Sequence, residues 1–414
     1  MRVVCFTANV SQPQQQQGEY GDNSRRPMMR FAMRGAILGG SAVLCMSPKS
    51  YARSSPATAK QPPLFTFGVI ADVQWADSED GFNYDRSVAR RYRGAFRTLV
   101  RAVDWWRELP TPPSFIAQLG DIIDGINAKL GQSKTALEAA LAELERAPCP
   151  SVNIVGNHEL YNFDRAALAQ APWLRHGDRE YYSFAPAPGW RMVILDPYQL
   201  ALIGHAQEDP RRQESVALIG AKNPGVDPSG EGGQWFAQVS GEDRRFVPYN
   251  GGLGREQLAW LRAELGAASA AGERVLILSH VILHPRACGG DTMVWDYPEA
   301  LAAISSEEAG GCVVAVLCGH DHFGQYHHDV DTGVHHCTFC SPLNKGDEGY
   351  AFGLVQVWDD AIQIRGPRID DLLPAWRGGK PTGRPAATPC EGEGGACWSP
   401  HEIVTLPLRK TKRS

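Results

Sequence analysis

The chain has no long apolar run. Nowhere in its 414 residues do 18 apolar side chains follow one another, so no segment reads as a membrane-spanning helix. Cysteine is sparse for the length: ten cysteines do not make a disulfide scaffold, and no CxxC pair recurs at zinc-site spacing. Cys337-x-x-Cys340 stands alone in a predicted strand and reads as buried thiols, while Cys390 and Cys397 are candidates for pairing in the tail. Positive charge is not in excess either. With 41 Lys and Arg against 46 Asp and Glu the net charge is −5, and no basic field argues for nucleic acid as a partner. Acidic residues are missing from 23 to 71, a stretch that holds arginines and the short apolar run Ala36–Met46. Residues 1–62 therefore fit either an organellar or secretory presequence or a disordered extension of a cytoplasmic protein.

What the chain does have is apolar residues, 43% of the total, enough for a sizeable core. From Leu64 onward short apolar strands alternate with helical spacing. Strands are expected at 64–71, 114–119, 151–155, 190–195, 274–279, 312–317, 334–339, 350–357 and 361–365. Helices are expected at 86–107, 133–146, 255–268 and 297–306, and Asp359-Asp360 suits a hairpin turn. The alternation predicts an α/β sandwich with sheets face to face and helices outside. Residues 199–252 lack periodicity and read as a long irregular loop, a lid, a substrate wall or a solvated insertion. The globular part is expected over 63–370, and 371–414 reads as a tail.

The strand ends carry the chemistry. Phe67-Gly-Val-Ile-Ala runs into Asp72-Val-Gln74, and the next strand runs into Gly120-Asp121-Ile-Ile-Asp124. The later ones end in Gly156-Asn157-His158-Glu159, in His280, and in Gly319-His320-Asp321-His322. A lone Asp at a strand end is a turn residue and a lone His is usually a satisfied core or surface group. Five strands that end alike are different, because the carboxyl ends of strands in α/β sheets share one edge where ligands bind. Seven donors, Asp72, Gln74, Asp121, Asn157, His280, His320 and His322, are expected to meet there. Gly120, Gly156 and Gly319 precede ligands where a sharp turn would exclude a Cβ.

The set Asp-x-Gln, GDxxD, GNHE, His and GHxH resembles the calcineurin-like metallophosphoesterases. The glutamine in place of the usual histidine is similar to the manganese-dependent ADP-ribose/CDP-alcohol diphosphatases of that superfamily. Asn157-His-Glu-Leu-Tyr-Asn162, Asn250-Gly-Gly252, Trp295-Asp-Tyr297 and Gly333-Val-His335-His336 extend the resemblance, which covers about Leu64 to Arg368. Purple acid phosphatases place Tyr where Asp124 stands, and serine/threonine phosphatases follow GDxxD with Arg-Gly where Gly125-Ile126 stand.

The resemblance implies a four-layer α/β/β/α sandwich with two mixed sheets. It implies two divalent ions, with Asp72, Gln74, Asp121 and His322 on one, Asp121, Asn157, His280 and His320 on the other, and Asp121 bridging. Such ions sit about 3.5–4 Å apart and clamp phosphoryl oxygens. An amide oxygen in place of an imidazole favours Mn²⁺ over Zn²⁺, with Mg²⁺ and iron as alternatives. His158 is expected to meet the leaving group and Asp124 to orient a ligand imidazole. The implied reaction is attack of metal-bound hydroxide on the phosphoanhydride of ADP-ribose, CDP-choline or a related small nucleoside-diphosphate derivative. The alternatives are a phosphodiesterase or phosphomonoesterase on the same fold, or a non-catalytic metal-binding scaffold. Tyr84, His284 and Trp295 are candidate substrate contacts. His327-His328 and His335-His336 read as surface and strand histidines.

Overall fold

The computed structural model describes residues 62–83, 86–171, 173, 180–227, 229, 234–374, 397–398 and 403–409. The N-terminal extension, most of the tail and the side chains of Cys390 and Cys397 lie outside them. In chain order the strands are β1 (Phe65–Ile70), β2 (Gly81–Phe82), β3 (Ala89–Arg90), β4 (Phe115–Gln118), β5 (Ser151–Asn153), β6 (Tyr182–Ala187), β7 (Trp190–Ile194), β8 (Arg274–Ser279), β9 (Val313–Cys318), β10 (Phe323–His328), β11 (His335–Cys340), β12 (Phe352–Val357), β13 (Ala361–Arg365), β14 (Cys397–Trp398) and β15 (Ile403–Pro407).

Two mixed sheets result. One has the order β14-β15-β13-β12-β1-β4-β5 and the other β10-β11-β9-β8-β7-β6. In the first, β1, β4 and β5 run parallel and β12 pairs antiparallel to β1. In the second, β7, β8, β9 and β11 run parallel. Phe67, Val69, Phe115, Met192, Leu276, Leu317, Phe339, Val355 and Leu406 come from both sheets and form one core between them. On the outer face of the first sheet lie helices Tyr92–Glu108 and Ser133–Glu145, packed through Leu99, Val103, Trp106, Leu137 and Leu144. Helices Gly254–Ala270 and Tyr297–Ile304 cover the other sheet through Leu258, Leu261, Leu265 and Ala300. The layers are α/β/β/α, as expected. Central strands such as β1 are buried at every position because both faces are covered.

Four expectations change. The first helix starts at Tyr92, not Arg86, because Ala89–Arg90 pairs with Gly81–Phe82 as a small ladder. Strands β6 and β10 escaped the apolar pattern: both are edge strands, only partly buried, and carry Pro, Gly and His. The segment read as a tail returns to the first sheet, where Ile403–Pro407 pairs antiparallel with β13 and buries Val404 and Leu406. The span 199–252 is not all loop. Asp209 caps a helix, Pro210–Lys222, and Ile219, Val226, Phe246 and Trp295 form a small core beneath it. The cysteine reading holds, since Cys337 and Cys340 are free and buried in β11.

A buried ion pair anchors this region. Arg165 donates to both oxygens of Asp196 at 2.6 and 3.2 Å and to the Tyr198 carbonyl at 2.5 Å. Gln257 holds the same residue through the Asp196 backbone, accepting from its N–H at 2.9 Å and donating to its carbonyl at 2.7 Å. Burial raises the Asp196 carboxyl, but Arg165 outweighs it and holds the group below the usual range. Truncation of one partner leaves an uncompensated buried charge, so Arg165→Met is expected to lower unfolding stability by about 3–5 kcal/mol in urea titration. A depressed folded value means the Asp196 contribution is complete above about pH 4 and is lost as pH falls below it. The wild-type midpoint should drop on acidification in that window, and the Asp196→Asn midpoint should drop less.

Candidate metal centre

All seven expected donors come together. Asp72 and Gln74 follow β1, Asp121 follows β4, Asn157 and His158 follow β5, His280 follows β8, and His320 and His322 follow β9. Asp121 Oδ2 lies at the centre, 3.3 Å from Gln74 Nε2, 3.3 Å from His280 Nε2 and 3.9 Å from His158 Nε2. Its other oxygen accepts from the His158 N–H at 2.8 Å. Asn157 Oδ1 is 3.3 Å from His280 Nε2, and His322 Nε2 is 3.6 Å from Asp72 Oδ1. Donor atoms of Asp121, His280 and His320 all fall within 4.8 Å of one another.

The backbone is bent to make this possible. Among the described residues five non-glycine residues have positive φ, and four of them are Asp72 (52°), Gln74 (46°), Asp121 (57°) and His320 (70°). Each such residue costs about 1–3 kcal/mol and persists only where its surroundings over-determine it. Gly120 also has a positive φ, 100°, and a Cβ there would lie 2.4 Å from His280 Nδ1. Gly156 differs from expectation, because it is extended at φ −104°. It is a glycine because Asp121 comes so close that a Cβ would sit 2.0 Å from Oδ1.

Glu159 does the fastening, and the sequence had assigned it no role. It is fully buried, and its carboxylate accepts from the N–H groups of Asp121 (2.8 Å), Ile122 (2.8 Å) and Gly156 (2.7 Å). One side chain thus ties the Asp121 loop to the Asn157 loop. Burial, with Asp121 nearby, raises it to about 7 against the pull of those N–H groups.

Whether the donors suit cations is decided by their outer hydrogen bonds. His280 Nδ1 meets the Leu119 carbonyl at 2.8 Å, His320 Nε2 meets Asn250 Oδ1 at 2.7 Å, and His322 Nδ1 meets Asn344 Oδ1 at 3.3 Å. Each acceptor fixes the ring proton outside and leaves a lone pair facing inward. His280 Nε2 and His320 Nδ1 then face each other at 3.1 Å, an arrangement that calls for a positive charge between them. Burial works against a charge on His280, yet Asp121 raises it to about 9, while burial and His280 push His320 well down. Burial also drives Asp72 well above the carboxylate range. Gln74 Nε2 lies 2.8 Å from His322 Nε2, and Gln74 Oε1 is buried without a donor. With the amide turned over, its oxygen joins an imidazole lone pair and a carboxylate, three acceptors that a cation satisfies and a proton does not. The residues fit two divalent ions.

His158 is placed differently from the three inward-facing histidines. The Gly125 N–H donates to its Nδ1 at 2.7 Å, so the neutral ring carries its proton on Nε2, toward Asp121. Burial keeps the ring below its usual value although Asp121 and Asp124 oppose this. Asp124 was expected to orient a ligand imidazole. The imidazole it meets is instead His158, with Oδ2 3.3 Å from Nδ1.

A cavity of about 510 Å³ opens over the centre, walled by Trp235, Phe236 and Tyr249 on one side and by Asn83, Arg90 and Phe323 elsewhere. Of the expected substrate contacts, Tyr84 lies outside the described residues. Trp295 is not in the wall; it is core, 2% exposed, against Ile219 and Phe246. His284 is not in the wall either: it packs on His327 and His336 at 4.5 and 4.6 Å. All four histidines of the two pairs lie in strands, and His335 and His336 are buried. The aromatic wall comes from the span 199–252, for which a substrate wall was one of the readings, although its aperiodic sequence singled out none of the three residues.

Gly156→Ala should fold and lose Mn²⁺ uptake by at least tenfold in calorimetric titration, because the added carbon displaces Asp121.

The sequence profile of the calcineurin-like phosphoesterases matches residues 65–324. The chain is 36% identical to the manganese-dependent ADP-ribose/CDP-alcohol diphosphatase of Xenopus tropicalis, over 74% of this chain and 92% of that protein. It is 35% identical to the Homo sapiens protein of the same name, over 75% and 92%. The crystal structure of a dimetal phosphatase from Danio rerio superposes with a TM-score of 0.67 at 35% identity, covering 73% of this chain and 96% of that one. The chain belongs to the calcineurin-like phosphoesterases and, within them, to the family of manganese-dependent ADP-ribose/CDP-alcohol diphosphatases.

Proposed function

We propose that this protein is a dinuclear metal-dependent hydrolase that cleaves the phosphoanhydride of small nucleoside-diphosphate derivatives. ADP-ribose, giving AMP and ribose 5-phosphate, is the leading substrate, followed by CDP-choline and other CDP-alcohols, giving CMP. The observation that carries this reading is the complete donor set around Asp121 Oδ2, with the His158 Nε2–H beside it, at the floor of a cavity with an aromatic wall. The family relationship supports the same activity.

Two divalent ions bound here would polarise the phosphoryl oxygens and lower the pKa of the attacking water. Asp72, Gln74, Asp121 and His322 would hold one, and Asp121, Asn157, His280 and His320 the other. The protein's own groups do the rest. Asp121 offsets the repulsion between the ions. His158 presents its Nε2–H to the oxygen that leaves, and its proton passes to that oxygen as the P–O bond breaks. Trp235, Phe236 and Tyr249 offer flat surfaces for a nucleobase, in a volume usual for ligand sites. Gln74 is a neutral hard oxygen donor and supports Mn²⁺ as the preferred ion.

The test is turnover of ADP-ribose, CDP-choline and bis(p-nitrophenyl) phosphate with Mn²⁺, then with Mg²⁺. The two diphosphates should be preferred, EDTA should abolish activity and Mn²⁺ restore it. Preference for the phosphodiester would overturn the reading. His158→Ala should lower kcat on ADP-ribose by about 10²–10⁴-fold with little change in Mn²⁺ binding. Gln74→His should shift binding toward Zn²⁺, measured by competition between the two ions.

A further inference from the structure

Arg90 and His158 line the cavity, and Asp124 lies behind them in contact with both. Arg90 comes from the two-residue strand β3. Its Nη1 donates to Asp124 Oδ2 at 3.1 Å, and the same oxygen lies 3.3 Å from His158 Nδ1. The Arg90 side chain is 23% exposed and lines the cavity beside His158 and His322.

The guanidinium is under-used where it stands. It carries five N–H donors. Asp124 accepts from one, the Tyr92 hydroxyl meets the group, and Nε is buried with no acceptor. Among the described residues Arg90 is the one Arg or Lys in the wall of this cavity, while Asp121, Asp291 and Asp321 are there as carboxylates. Arg244, nearby, lies over the Phe236 ring at 4.1 Å and faces Asp291 at 3.8 Å.

A phosphoanhydride sets a requirement that a simple ester does not. Water attacks one phosphorus, one P–O bond forms, and the bridging P–O bond breaks. The bridging oxygen leaves with the electron pair, on a departing phosphate whose negative charge grows. The donors around Asp121 provide for cations at the attacked phosphoryl group. The departing phosphate needs a positive group of its own, on the His158 side of the centre. A planar fork of N–H donors is the side chain best shaped for it.

We propose that Arg90 is a clamp for the second phosphate and sets the preference for substrates with two phosphates over those with one. This rests on the function proposed above. The alternative is that Arg90 only holds Asp124 in its place beside His158.

Binding without turnover separates the two. The Mn²⁺-loaded protein is titrated calorimetrically with α,β-methylene-ADP, which cannot be cleaved at the bridge, and with AMP. The wild type should bind the two-phosphate ligand roughly 10–100-fold more tightly, the value of one or two charge-assisted hydrogen bonds. Arg90→Met should bring that ratio to within about threefold of unity, and Arg90→Lys, which keeps the charge and loses the fork, should fall between. A wild type with no preference, or an Arg90→Met protein that weakens both ligands equally and keeps the ratio, overturns the clamp. Wild-type turnover of ADP-ribose is measured separately. Its absence would remove the proposed function, while the ratio would still decide the role of Arg90.

Discussion

The structure is organised around one carboxylate. Asp121 Oδ2 is the point on which Gln74, His280 and His158 converge, and Asp121 Oδ1 is held by the His158 N–H. A buried carboxylate in such a place is costly unless positive charge is near. The site answers with imidazoles whose outer nitrogens are committed to Leu119, Asn250 and Asn344, so that their inner nitrogens are free to bind cations. The fold supplies the place: five strand ends from two sheets point their loops at the same rim.

Precision there is maintained by strain that the neighbourhood holds in check. Left-handed conformations at Asp72, Gln74, Asp121 and His320 would relax in an isolated loop. Here each loop is fastened to the next. Glu159 joins the Asp121 and Asn157 loops, and the His320 N–H donates to Asp72 at 2.9 Å. Asn250 joins His320 to the Arg245 and Asp291 carbonyls, to which its amide donates at 2.8 and 2.6 Å, and the ring of Tyr249 from the aromatic wall lies 5.7 Å from that of His320. Metal centre and substrate cavity are therefore one connected structure.

The aromatic wall of Trp235, Phe236 and Tyr249 is flat and apolar. Arg90 and His158 line the same cavity, and Asp124 lies in contact with both. The Arg165–Asp196 pair lies behind the centre and holds the loop of Tyr198, whose hydroxyl is 3.3 Å from Asn157 Oδ1. Stability and site geometry share that contact.

Much of this was legible in the sequence, for a definable reason. A central strand buried on both faces is a run of apolar residues, and a metal ligand at its end is a polar residue where the run stops. Hence β1, β4, β8 and β9, and all seven donors, are visible in one dimension. The edge strands β6 and β10, and β15 next to the edge, are not, because their pattern depends on what covers them. Gly156 was predicted for the wrong reason, since a close approach between distant loops leaves no local mark. The hydrogen bonds of Glu159, Asn250 and Arg90, the company kept by Asp124, and the positions of Trp295 and His284 were decided only by tertiary structure. Each depends on a partner more than thirty residues away, and hydrogen bonds across such separations are set by packing, not by spacing along the chain.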